Sequence, residues 1–142
     1  MATGPDTYNL ERFVEAQRPV YSEVLSELRQ GRKQSHWIWF IFPQIAGLGY
    51  SPMAQRYAIS GRREAESYLQ HPVLGPRLAE CTRLVNQHAG NDIEEILGDI
   101  DALKFRSSMT LFAKVANDNP VFAEALKNFY GGEMDELTLA RL

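Results

Sequence analysis

Apolar residues recur three and four positions apart along most of this chain, and glycine or proline breaks the pattern at short intervals. That period belongs to short amphipathic helices. Leu10, Phe13 and Val14 share one face behind Asn9, a candidate N-cap, and Val20, Val24, Leu25 and Leu28 form a second stripe closed by Gly31. Ser51-Pro52 opens a helix running to about Ile59, followed by a short one carrying Ala65, Tyr68 and Leu69. Pro72 or Pro76 starts a longer stripe of Leu74, Leu78, Cys81, Leu84, Val85 and His88. Asp92 and Glu95 form a D-x-x-E capping pattern before Ile93, Ile96 and Leu97. Asp99 or Asp101 caps the next helix, with Phe105, Met109, Phe112 and Ala116 inward. Asn119-Pro120 then opens one that ends at Gly131-Gly132, and Asp135 caps a final turn. The pattern predicts an all-α fold of seven or eight short helices, in one domain over residues 8–142 behind a flexible segment 1–7.

One stretch has no polar face. Trp37 to Phe42 is an unbroken apolar run holding both tryptophans, so it must be covered on every side and the fold is expected to organise around it. Its residue types favour a strand. A buried strand needs a partner, however, and no second strand-like run appears. Ser35 as N-cap and Pro43 as stop favour a helix.

With 142 residues and 44% hydrophobic content, a single packed core is sufficient for stability. The formal charge of -3 argues against nucleic-acid binding, which relies on a concentrated positive surface. The apolar run falls far short of the ~20 residues of a membrane span, and the N-terminus lacks the pattern of a secretory signal. A lone cysteine, Cys81, suits a reducing compartment. A cytoplasmic protein is the expectation. Neither a metal nor a cofactor is expected, because no H-E-x-x-H, C-x-x-C or phosphate-loop pattern occurs.

Candidate chemistry is confined to two segments. Lys33, His36, Trp39 and Gln44 on the first would face Asp101, Lys104, Arg106, Ser107 and Ser108 on the second. Aromatic face, cations and hydroxyls together suit a small anionic ligand such as a nucleotide or sugar phosphate, which a protein could bind or transform. Each residue also has a plainer reading: Ser35 as a cap, His36 as a hydrogen-bonded core edge, Asp101 and Lys104 as an i,i+3 ion pair, and the hydroxyls as close packing. The alternative function is a non-catalytic protein-interaction module that uses an exposed helical face, for instance to form a homodimer.

The segments Ser35-His36-Trp37-Ile38-Trp39-Phe40-Ile41-Phe42-Pro43-Gln44, Gly47-Leu48-Gly49-Tyr50-Ser51, His71-Pro72-Val73-Leu74-Gly75-Pro76-Arg77-Leu78 and Lys104-Phe105-Arg106-Ser107-Ser108-Met109-Thr110-Leu111-Phe112 carry a resemblance. The chain is similar, from about Tyr8 onward, to a small bacterial family of unknown function often labelled "calpastatin". The resemblance implies a multihelical fold, no established activity and no catalytic residues to carry over. The label does not describe this composition: the calpain inhibitor of that name is a disordered polar chain, and this sequence has the apolar content of a packed core.

Overall fold

Six consecutive residues, Ser107 to Phe112, are buried, which a helix achieves only when neighbours cover it all round. The structure, a computed structural model describing residues 6–142, supplies those neighbours. Its helices are α1 (Glu11–Gln17), α2 (Tyr21–Gln30), α3 (Ile38–Ile41), α4 (Pro52–Arg56), α5 (Arg62–Gln70), α6 (Leu74–Asn86), α7 (Ile93–Leu97), α8 (Asp99–Val115), α9 (Val121–Tyr130) and α10 (Glu136–Leu139). α8 is central, with α3, α5, α7, α9 and α10 packed on it, while α6 bridges α2, α5 and α9. No strand forms among the described residues, where the pairing is limited to isolated bridges such as Ile45 with Ile59.

The all-α expectation holds. Among the described residues the helices number ten rather than seven or eight, and α3, α4, α7 and α10 are single turns of four or five residues. Ser51, Asp92 and Asp135 cap as predicted, accepting from the backbone N–H groups of Ala54, Glu94 and Thr138. Gly31 ends α2 in the left-handed region at φ 72°, with the His88 ring 2.9 Å from where a Cβ would lie. Only glycine meets both conditions.

Three capping expectations and one helix boundary need correction. Asn9 is itself left-handed (φ 54°), and the Asp6 carboxylate accepts from Leu10 and Glu11 N–H in its place. Asp6 therefore belongs to the ordered cap; residues 1–5 of the expected flexible segment lie outside the described residues. The Ser51–Pro52 helix stops at Arg56, and Ile59 turns aside to pair with Gln44 and Ala46. Gly98, rather than Asp99 or Asp101, holds the N-cap position of α8. Ser35 caps nothing: the aromatic helix is only Ile38–Ile41, because the N–H groups of Gln34 and Ser35 are bound by a carboxylate from α2.

The aromatic run does anchor the core. Trp37 is buried and Trp39 half-buried. Phe42 stacks edge-on against Phe105 of α8 at 4.8 Å between ring centres, joining the two segments singled out in the sequence. A second aromatic series runs Phe13, Tyr68, Phe112, Phe122, tying α1 through α5 and α8 to α9.

Candidate functional site

The turn that carries Lys33 and leads to the aromatic run wraps a buried carboxylate, Glu27. Its Oε1 accepts from Gln34 N–H (2.8 Å), Ser35 N–H (3.0 Å) and Trp37 Nε1 (3.0 Å), and its Oε2 from Ser35 Oγ (2.6 Å). Burial pushes the carboxyl's pKa up, but the donors from Ser35, Gln34 and Trp37 outweigh it and hold the group below its ordinary value. Glu27 thus fixes the turn between α2 and α3 as a charged anchor. Lys33 points inward from that turn with its side chain 6% exposed. Its Nζ lies 2.8 Å from Asp101 Oδ2, donates to the Ser35 carbonyl and sits 4.9 Å above the Trp37 ring. Asp101 therefore pairs with Lys33 instead of Lys104, and the Lys33 ammonium is withdrawn from solvent.

The remaining candidates disperse. His36 is exposed; Trp39 and Gln44 are half-buried, with the Gln44 carbonyl bonded to Ile59 N–H. Lys104 and Arg106 lie about 200° apart around α8. Arg106 donates to the carbonyls of Glu133 and Met134. Ser107 Oγ bonds with Asp135, and Thr110 Oγ1 accepts from Asp135 N–H. Those hydroxyls dock the C-terminal segment and α10 onto α8. Ser108 is buried, its hydroxyl without a partner among the described residues. Lys33 and Asp101 meet; Lys33, His36, Lys104 and Arg106 do not share one contact.

Elsewhere, a half-open cleft of about 360 Å³ lies between α5, α6 and the turn joining α8 to α9. Its floor is apolar, formed by Leu69, Ala79, Val115 and Phe122, and its rim carries Glu66, Gln70, Asn117 and Asp118. Gly75 lets its walls meet: a Cβ there would lie 2.1 Å from the Leu69 carbonyl oxygen. Neither Glu66 nor Asp118 enters an ion pair among the described residues. A second groove, between Arg106 and the C-terminal segment, is more open, and its Arg106 and Asp135 already have partners.

The family model described as "Protein of unknown function (DUF1810)" matches residues 7–142. The chain belongs to the DUF1810 family. Among solved structures, this DUF1810 protein is similar to the crystal structure of the conserved hypothetical protein Rv1873 from Mycobacterium tuberculosis. The two are 57% identical over 96% of this chain and 98% of that one, with a TM-score of 0.95. No curated protein matches. Neither description names an activity, so the chemistry of this DUF1810 chain rests on its side chains.

Among those side chains, burial disfavours the charged forms of the cysteine and of three tyrosines. Burial pushes the Cys81 thiol up to about 12, and it raises the phenols of Tyr21, Tyr68 and Tyr130 as well. Two structural residues escaped the sequence reading. Glu27 falls between Val24 and Leu28 on the apolar stripe of α2, and a charge on such a stripe is the signal that could have found it. Arg12 reaches the carbonyls of Tyr8, Asn9, Arg56 and Ala58 and the Glu64 carboxylate at 2.9 Å. Most of its acceptors are backbone atoms, which no side-chain pattern marks.

Proposed function

We propose that the protein binds a small molecule in the cleft between α5, α6 and the α8–α9 turn. The observation that carries this reading is the cleft itself: an apolar floor beneath polar rim groups, with neither carboxylate ion-paired among the described residues. Apolar walls with a few directed polar groups are the usual makeup of a ligand site, and about 360 Å³ falls at the small end of the range. That size suits a ligand smaller than a nucleotide. The anionic site expected around Lys33 has less support, since the ammonium is already met by Asp101 and a carbonyl. A free, buried Cys81 accords with a cytoplasmic setting. No helix among the described residues is long and apolar enough to cross a membrane.

The test is a fragment screen read by NMR. Saturable shifts are expected at the methyl groups of Leu69, Ala79 and Val115. Absence of any saturable response there across neutral, cationic and anionic fragments would overturn the reading.

One observation favours an interaction module instead. Ile100 and Leu103, three residues apart on α8, are 65% and 66% exposed, and paired apolar side chains on a helix face suit a protein contact. Sedimentation over a concentration series tests this second reading. Self-association abolished by Leu103→Lys would support it, and a monomer throughout would count against a homodimer.

A further inference from the structure

We propose that the cleft selects a cation with a short apolar stem, a primary alkylamine or alkylguanidine. The proposal rests on the cleft being a binding site and adds the sign of the charge it prefers. Glu66 on α5 and Asp118 on the α8–α9 turn stand on the rim of the same cavity, above Leu69, Ala79 and Val115. Two helix ends also border it. α8, seventeen residues long, brings its C-terminus to Val115 and Ala116, while α9 brings its N-terminus to Asn119 and Phe122. The ends of long helices carry about half a charge each, negative for the first and positive for the second. They roughly cancel, and the Val121 N–H at the α9 end is already taken by Asn119 Oδ1 at 3.1 Å. Two full carboxylate charges then set the sign of the cleft.

Neighbouring cations do not reverse that sign. Arg62, one turn before Glu66, directs its Nη1 to the Lys114 carbonyl at 3.3 Å, and Lys114 itself is exposed on α8. Neither pairs with Glu66 or Asp118. An ammonium or guanidinium head would sit between the two carboxylates, with the Gln70 and Asn117 carbonyl oxygens as further acceptors. The stem would cover the floor, where each buried methylene adds to affinity without regard to charge. A carboxylate or phosphate in the same place would meet like charge.

A matched series separates stem from head: n-butylamine, n-butanol and butyrate, titrated into the full chain with the Ala79 and Val115 methyl signals as readout. The amine should bind roughly three- to tenfold tighter than the alcohol, the range expected for two exposed carboxylates. Butyrate should be weakest. In the Glu66→Gln/Asp118→Asn variant, amine affinity should fall to that of the alcohol while alcohol binding holds, with unchanged melting temperature showing an intact fold. Alcohol or butyrate binding as tightly as the amine would overturn the cation preference and leave the small-molecule site standing. Silence from all three probes would overturn the preference, and silence from the wider fragment screen would remove the site as well.

Discussion

The turn around Glu27 and the cleft beneath Glu66 both place carboxylates beside apolar side chains, yet they handle charge in opposite ways. Glu27 is surrounded by donors from Gln34, Ser35 and Trp37, and Lys33 beside it is held by Asp101. Every charge there is answered within the chain. Among the described residues, no ion pair answers Glu66 or Asp118. A buried polar group without a partner is costly, so a saturated network reads as architecture. Polar groups left open above an apolar floor remain available to a ligand. The segment with the strongest sequence signal is therefore the structural one, and the candidate site lies where the sequence looks ordinary.

Breaking the saturated region should have the largest effect. Glu27→Ala strands the Trp37 indole N–H and the N–H groups of Gln34 and Ser35. At about 1–3 kcal/mol for each buried unsatisfied donor, partly relieved by water, the loss should reach about 3–5 kcal/mol. Trp37→Ala should cost a similar amount through the cavity it leaves. Urea unfolding measures both, and wild-type stability in both variants would move this network out of the architectural class.

Acid sharpens the same point. The Glu27 carboxyl is held below its ordinary value in the folded protein, so its contribution is fully present above the unfolded carboxyl pKa of about 4.3 and is lost as pH falls through the folded value. Unfolding must then be accompanied by proton uptake. Compared at pH 7 and pH 3, Glu27→Gln should be less stable than wild type at the higher pH, and the gap should narrow at the lower. A gap independent of pH would show that the charge of Glu27 plays no part.

Lys33 and Asp101 come next in size. Lys33→Ala leaves Asp101 without its cation and removes the contact over Trp37; a cost of about 2–3 kcal/mol is expected, below that of a fully buried pair because Asp101 retains 20% exposure. Asp101→Asn should cost less, and the double variant should fall short of the sum if the two act as a pair. Additive losses would separate them. A Lys33→Ala protein with wild-type stability would return the ammonium to the role of a ligand group.

The helices were legible because their determinants are local. The stripe of Val24 and Leu28, Gly31 at its end and the cap at Ser51 each lie within a few residues of the structure they specify. The partners of polar groups were less legible. Asp101 has Lys104 three residues away, and only the packing of α8 against the α2–α3 turn brings Lys33 closer. Arg12 binds carbonyls 44 and 46 residues distant. The Ser107 hydroxyl drew attention as a candidate ligand group and instead bonds with Asp135, 28 residues on, where Thr110 also holds the Asp135 backbone. The cleft was invisible for the same reason: Glu66, Gln70 and Asn117 share no local pattern, and only the assembly of α5, α6 and the α8–α9 turn brings them to one cavity.

The smallest expected effect is the one that completes the contrast. Glu66→Gln and Asp118→Asn remove charges with no ion-pair partner among the described residues, so no attractive contact between those charges is lost. Exposed sites of this kind usually change stability by less than about 0.5 kcal/mol. The direction here should be toward stability, because each substitution also lowers negative charge in a chain of net charge -3. Glu27 and Glu66 are thus the same residue type with opposite expected signs: replacing the first by glutamine destabilises, and replacing the second does not. Parallel urea titrations of the two glutamine variants make the comparison directly. If Glu66→Gln cost as much as Glu27→Gln, the cleft carboxylate would belong to the architecture after all, and the case for an open ligand site would lose its basis.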